Sequence, residues 1–227
     1  CEELRRFSEK FRIPVVSTMM GIGVMPTEHP MYYGMVGNNG KPYANRAMNE
    51  SDLLIMVGAR VADRSVNQPD LITHDKVLVH IDVDPAEIGK NAGPTIPLVG
   101  DARHIFADFE KQEIDCEHED WIRTLDGYRD TMKEIRRPNP DYVDPELFIR
   151  RLSERMEPDG VYVADVGQNQ IWSCAYHIVR EGRFLTSGGM GTMGYSIPAA
   201  MGAKLGDMSK QVIAVCGDGS FQMSMME

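Results

Sequence analysis

The 227-residue chain reads as an α/β protein of two parallel-sheet units with helices on both faces, both units truncated. Two patterns predict this. Short β-branched apolar runs alternate with helix-favouring stretches, the order that builds a parallel sheet covered by its own crossover helices. Several of these runs also end in glycine beside an acid, as strands do where an open sheet meets a phosphorylated ligand.

The elements follow in order. Cys1 opens directly into a charged helical pattern. Ile13–Ser17, Leu53–Val57 and Val77–Val83 have the length and apolar content of buried strands, and each is followed by glycine, arginine or acidic residues. A helix over Tyr43–Ser51 lies among them, and a helix over Ala102–Lys111 closes a first domain, residues 1–112. Residues 113–143 read as a helical linker. Trp121, Leu125, Tyr128, Met132 and Ile135 recur every three or four residues within Glu113–Arg137, giving one apolar stripe, and Pro138-Asn-Pro140 ends it. Residues 144–227 form the last domain. Asp144 caps a helix with Pro145 at its first position, running through Leu147–Met156. A strand (Val161–Ala164), a helix (Ile171–Val179), a glycine-rich loop (Ser187–Gly194), a further helix, a strand (Val212–Cys216) and a helix from Ser220 follow. The last of these holds Glu227, so both ends read as cuts through a longer protein.

Composition excludes several classes. With 42% hydrophobic residues the chain can bury a core. It has neither an apolar run of membrane-spanning length nor a basic-then-apolar leader, so a membrane partner is not expected. Cys1, Cys116, Cys174 and Cys216 are scattered without a C-x-x-C pair, which argues against a zinc site or disulfide framework and suits a cytoplasmic location. A net charge of −10, negative in both halves, argues against nucleic acid as a partner.

The chemistry concentrates at strand ends. Gly217-Asp218-Gly219 closes the Val212 strand, where glycine lets the backbone turn sharply and approach a ligand. A carboxylate there would repel phosphates unless a divalent cation lay between them, and Mg²⁺ suits both sets of oxygens. Taken alone, Gly-Asp-Gly is an ordinary strand-turn-helix corner. Asp165-Val-Gly-Gln-Asn169 and Thr186-Ser-Gly-Gly-Met-Gly-Thr-Met-Gly194 stand at two further strand ends, and in a parallel sheet all three loops converge on one rim.

These residues resemble a known family. Val166-Gly-Gln168, Ser187-Gly-Gly-Met-Gly-Thr-Met-Gly-Tyr-Ser-Ile-Pro-Ala-Ala200 and Gly217-Asp-Gly-Ser-Phe221 resemble the cofactor domain of thiamine-diphosphate enzymes. Within that superfamily they are most similar to the acetolactate synthase (acetohydroxyacid synthase) large-subunit family. Ser17-Thr-Met-Met-Gly21, Gly37-Asn-Asn-Gly-Lys-Pro-Tyr-Ala-Asn45, Val57-Gly-Ala-Arg-Val-Ala-Asp-Arg64 and His80-Ile-Asp-Val-Asp-Pro-Ala-Glu-Ile-Gly-Lys90 resemble its central FAD-binding domain, in the same order along the chain.

The resemblance implies specific roles. Gly167, Gln168 and Asn169 would lie against the diphosphate, with Gly219 and Ser220 beside it. The Gly191 carbonyl would receive the aminopyrimidine N–H, and Met193 would wedge under the thiazolium, although core packing is the usual fate of a methionine. Asp218 would bind Mg²⁺. Thr18, Met19, Gly37, Asn38, Asn39, Gly58, Arg60, Asp63, Arg64, Asp82, Val83, Gly100 and Asp101 would line a structural FAD, with Asp82 accepting ribose hydroxyls. Three motifs depart from the family pattern: Asn169 replaces a histidine, Asn38-Asn39 replaces Met-His, and Ala62 replaces an acid. No catalytic residue falls in the chain, because the family's activating glutamate belongs to an N-terminal domain that precedes it. The fragment alone is accordingly expected to be inactive.

The implied activity is decarboxylation of pyruvate on thiamine diphosphate and ligation of the remaining two-carbon unit to a second 2-keto acid, in branched-chain amino acid biosynthesis. Small 2-keto acids, a second copy in a homodimer or higher homo-oligomer, and a regulatory small subunit are the implied partners. Two alternatives stay open. One is another carboligase, decarboxylase or pyruvate oxidase of the same superfamily, and the other is a non-catalytic nucleotide-binding subunit.

Overall fold

Strands and helices alternate through a computed structural model that describes residues 2–62, 72–93, 95–132 and 141–226. They gather into two compact units, residues 1–18 with 30–133 and residues 19–29 with 134–227.

The first unit runs α1 (Glu2–Phe11), β1 (Val15–Ser17), β2 (Tyr32–Met35), α2 (Pro42–Glu50), β3 (Leu53–Val57), β4 (Val77–Asp82), β5 (Ile96–Val99), α3 (Ala102–Phe109) and α4 (Glu119–Thr131). β1 and β2 pair in parallel, and β3, β4 and β5 form a second parallel sheet with β4 central. Side chains alternate across a strand, so the central one needs cover on both sides. Val79 and Ile81 meet Phe7, Phe11 and Phe106 of α1 and α3. Leu78 meets Val61, Ile72, Ala92 and Met48 instead. Phe7 lies 5.2 Å from Phe11 and 4.9 Å from Phe106, ring centre to ring centre. Such tilted pairs add roughly 0.5–1.5 kcal/mol each beyond the area they bury. β5 carries Pro97, which an edge strand tolerates because it need not donate on its open side.

The helix expected as a linker, α4, ends at Thr131, just before Met132 of its apolar stripe, and packs on this unit. Leu125, with Trp121 and Tyr128, closes over Tyr33 and Ala47. The Tyr33 hydroxyl donates to Asp126 at 2.9 Å, and the Arg129 guanidinium lies 4.0 Å over the Tyr33 ring. An apolar stripe on a helix must be buried somewhere, and this surface is where it goes. Pro138-Asn-Pro140 lies outside the described residues.

The second unit runs α5 (Pro145–Arg155), β6 (Val161–Ala164), α6 (Gln168–Tyr176), β7 (Arg183–Thr186), α7 (Ser196–Gly206), β8 (Val212–Val215) and α8 (Asp218–Ser224). Its sheet has the order β7-β6-β8, all parallel, and all four residues of β6 are buried. Asp144 caps α5 as the sequence predicts, its carboxylate accepting the Leu147 N–H at 3.0 Å. Behind the sheet a polar chain ties α5 to α6. Ser153 Oγ and His177 Nδ1 share a hydrogen bond of 2.7 Å, Tyr162 stacks on His177 at 4.0 Å, and the Tyr162 hydroxyl bonds Ser173 at 2.7 Å. Burial first, and the Arg180 charge second, lower the His177 pKa to about 4. α8 starts at Asp218, two residues before the expected Ser220, with Gly217 as its cap. The carboxylate therefore stands in the first helical turn, where the helix dipole favours it. Among the described residues no helix is long and apolar enough to cross a membrane.

Candidate functional site

Register decides what meets at the rim of the second unit. Ala164, the last residue of β6, is opposite both Thr186 of β7 and Val215 of β8. The three following loops, 165–167, 187–195 and 216–217, therefore leave the sheet side by side, as expected from their glycines.

Side chains then lock the loops together. Asp165 is fully buried; its Oδ1 accepts the N–H groups of Val166 at 2.8 Å and Gly194 at 3.0 Å, and its Oδ2 accepts that of Ser196 at 2.7 Å. Burial pushes its pKa up, but the Ser196 and Val166 N–H groups outweigh that and hold it below the ordinary carboxylate value. Asn169 Nδ2 donates to the carbonyls of Asp165 and Val215, both at 3.0 Å, joining β6 to β8. Gln170 Nε2 donates to Thr186 Oγ1 at 2.6 Å, joining α6 to β7. From α8, Ser220 Oγ donates to the Val166 carbonyl at 3.1 Å and Ser224 Oγ to the Gly194 carbonyl at 2.6 Å.

The expected thiamine-diphosphate residues all belong to this rim. Gly167 caps α6 with φ +136°, a left-handed conformation that a side chain resists, and Gln168 and Asn169 begin the helix. Asn169 spends its amide hydrogens on the two carbonyls, so its N–H groups tie loops rather than point outward. Ser220 is buried with its hydroxyl engaged, so its side chain ties the rim together. Gly191 and Gly194 are also left-handed, at φ +66° and +83°. A methyl on Gly194 would lie 2.7 Å from Ser224 Oγ, so α8 fits against the loop only because that residue has no side chain. Met193 does not turn back into the sheet: it is 40% exposed, and its Cε lies 3.3 Å from where a methyl on Gly219 would be. Asp218 is exposed, with Oδ1 accepting the Gly219 N–H at 2.9 Å.

Thiamine diphosphate and Mg²⁺ fit this set. Glycine backbone lines the rim, and a methyl on Gly189 would meet nothing within 4 Å, so the loop surface is open there. Among the described residues no three His, Cys, Asp or Glu side chains converge on a metal. Asp218 offers an ion there one exposed carboxylate, the kind of oxygen Mg²⁺ takes beside phosphate and water.

In the first unit the Gly58 N–H donates to the Ile81 carbonyl at 2.8 Å and the Gly100 N–H to the Asp82 carbonyl at 2.9 Å. Gly58, Asp82, Val83, Gly100 and Asp101 therefore share one sheet rim. Asp82 Oδ1 accepts the Asp84 N–H at 2.9 Å, and Asp101 caps α3 by accepting the Arg103 N–H at 2.8 Å. Arg60 is exposed just past β3. Gly37 follows β2 at φ +108°, clamped by Asn45, which accepts its N–H at 2.8 Å and donates to its carbonyl at 3.0 Å; Asn38 and Asn39 are exposed at that turn. Thr18 follows β1. Met19, expected at the flavin, belongs to the second unit, with its sulfur 3.4 Å from where a methyl on Gly188 would be. Asp63 and Arg64 lie outside the described residues.

Sequence reasoning gave no role to Asp165, Gln170 or Ser224. Asp165 carried a usable signal, an acid directly after a wholly apolar strand and before a glycine. Ser224 carried none, since a serine inside a helix is common.

Residues 1–109 match the thiamine pyrophosphate enzyme central domain, and residues 165–227 match the C-terminal TPP binding domain of the same enzymes. The chain belongs to the thiamine pyrophosphate enzymes. Among these it is similar to the acetolactate synthase large subunit of Lactococcus lactis, 39% identical over 98% of this chain and 39% of the relative. It is 41% identical to that of Corynebacterium glutamicum, over 100% of this chain and 37% of the relative. The acetolactate synthase of Mycobacterium leprae is 42% identical over the same shares. The chain thus spans about two fifths of the length of the curated relatives it matches.

Proposed function

We propose that this chain is part of an acetolactate synthase large subunit, which decarboxylates pyruvate and ligates the remaining two-carbon unit to a second 2-keto acid in branched-chain amino acid biosynthesis. The observation that carries the reading is the rim of the second unit: three glycine-bearing loops in register, one exposed carboxylate at Asp218, and an apolar methyl from Met193 beside Gly219. When bound, thiamine diphosphate supplies the electron sink for loss of carbon dioxide from the 2-keto acid.

The chain's own residues would hold and orient. Gly167, Gln168, Gly219 and Ser220 offer backbone to the diphosphate, Asp218 holds the Mg²⁺ that offsets its charge, and the Gly191 carbonyl accepts from the aminopyrimidine. Met193 supports the ring from the apolar side. Asp165, Asn169 and Ser224 fix the loops that carry these groups. Gly58, Asp82 and Gly100, sharing one rim, support a structural FAD in the central domain with Asp82 toward its ribose. A cytoplasmic location, a homo-oligomer and a regulatory small subunit belong to the same proposal and rest on the family resemblance.

Acetolactate production by the full-length protein from pyruvate, with thiamine diphosphate and Mg²⁺, tests the reading. Release of acetate and peroxide instead would make it an oxidase of the same superfamily, and binding without turnover would make it a non-catalytic subunit.

A further inference from the structure

We infer that residues 19–29 form a strap whose Met20 thioether is seated on Gly188 and holds the loop Ser187–Gly194 in order, making Met20 a positioning residue for the thiamine-diphosphate site. The link to that cofactor rests on the function proposed above; the ordering of the loop does not.

The strap is fixed at its base. The Thr27 N–H donates to the Val179 carbonyl at 2.8 Å, and the Val179 N–H donates back to Thr27 Oγ1 at 2.9 Å. Met25 is 1% exposed, and Gly23 turns at φ +92° against Val179. At the other end a single 3₁₀ turn, Met19–Gly21, delivers the two methionines to the loop. An ideal methyl on Gly188 would lie 2.5 Å from Met20 Sδ, 3.2 Å from Met20 Cγ and 3.4 Å from Met19 Sδ. Gly188 is not among the residues with positive φ. Its backbone would therefore accept alanine, and what glycine provides at 188 is room for sulfur.

The contact reaches the stretch of loop that the other ties leave bare, and Met20 makes it from the surface, 64% exposed. The loop's far end is held at Gly194 by Asp165 and Ser224. Its near end is tied at Ser187, whose carbonyl accepts from Gln170 Nε2 at 3.5 Å and whose hydroxyl accepts the Thr192 N–H at 3.2 Å, but the glycines at 188 and 189 that follow have no side chain, and Met190 is 91% exposed. Glycine-rich backbone loses more entropy on ordering than any other, so a stretch without side chains gains order from an outside clamp. Methionine suits the task, because its unbranched, polarisable side chain moulds to a bare backbone.

Hydrogen exchange on the full-length protein without cofactor tests the strap. In Met20→Ala, amides of 188–194 should exchange about ten-fold faster, the behaviour of a segment that opens locally, while those of Val161–Ala164 stay unchanged. Met20→Leu, which refills the volume, should restore the loop. Gly188→Ala should loosen it as Met20→Ala does, by displacing the thioether, and the double variant should be no looser than either single one. Unchanged exchange in Met20→Ala, or an equal rise in β6, overturns the strap. Titration with thiamine diphosphate and Mg²⁺ is the second arm. A loosened loop with undiminished cofactor affinity leaves the strap standing and overturns its role in positioning.

Discussion

Asp165, the residue after β6, reaches across to the far end of the glycine loop: its Oδ1 accepts the Gly194 backbone N–H at 3.0 Å. The same carboxylate takes the first N–H of α7 through Ser196. One buried acid thus sets the exit from a strand, the end of a loop and the start of a helix. Backbone fixed before a ligand arrives does not have to be ordered at the moment of binding. Glycines make the loop able to approach a cofactor, and Asp165 offsets the freedom they bring.

Asp165→Asn should therefore destabilise the protein by roughly 2–3 kcal/mol, because the amide NH₂ cannot accept and one backbone N–H is left buried without a partner. The pH dependence has a defined sign. Hydrogen bonds hold the Asp165 pKa below its ordinary value despite burial, so its contribution is complete above the unfolded carboxylate pKa. It is lost as pH falls through the lowered, folded value. Urea unfolding followed from pH 7 downward should show the variant losing less stability than the parent below about pH 4. Equal acid-side slopes would mean that Asp165 carries no linked proton.

Much of this was legible in the chain. Val161–Ala164 and Leu53–Val57 end where their apolar runs end, and Asp144-Pro145 starts α5 as its residue types dictate. β2 and β5 were not visible, because Tyr32–Met35 contains a glycine and Ile96–Val99 a proline, residues that strand patterns penalise. Both become strands because a parallel neighbour offers them its backbone. Convergence of the three rim loops could be read from their place at strand ends. The ties that hold them could not, since Asn169, Gln170 and Ser224 act on partners 16 to 46 residues away. Met19 shows the opposite limit. Its motif is contiguous with Thr18, yet its packing places it with the glycine loop of the other unit.

His177 should make the second unit sensitive to mild acid. Burial lowers its pKa to about 4 from an ordinary 6.5, so the neutral form is the one that folds. Stability is full above about pH 6.5 and shrinks as pH falls toward about 4, on the order of 2–3 kcal/mol for a shift of that size. His177→Gln should lower stability at pH 7 by breaking the Ser153 bond but flatten the profile between those limits. Because Asp165 acts only below this window, urea midpoints at pH 7, 5 and 4 separate the two. An unflattened profile would assign the mild-acid loss to another group.

Asp218→Ala in the full-length protein should abolish Mg²⁺-dependent binding of thiamine diphosphate with little change in thermal stability. The carboxylate is exposed and among the described residues its hydrogen bond is to its neighbour Gly219, so the fold depends on it weakly. Under the proposed function its part is to supply one of few protein oxygens to the cation. Calorimetry with and without Mg²⁺ decides the matter. Undiminished affinity would reduce Asp218 to a helix-start residue.

Met193→Ala should slow turnover more than it weakens cofactor binding. The side chain leaves a loop stripped of bulk by Gly188, Gly189, Gly191 and Gly194, stays 40% exposed, and carries its methyl to 3.3 Å from the position a Gly219 methyl would take. A methionine serving the core would be buried in the sheet. One that leans across to the Gly217–Gly219 corner is placed to support a flat ring between the two loops. Removing it leaves the diphosphate anchor intact and lets the ring tilt. Misorientation of reacting groups costs ~2–3 kcal/mol, so kcat should fall by several tens-fold while the thiamine-diphosphate Kd rises only a few-fold. Gly219→Ala should produce the same split from the other side, by pressing on the Met193 methyl. Unchanged kcat with a lowered melting temperature in both variants would show that the Met193–Gly219 contact serves packing alone.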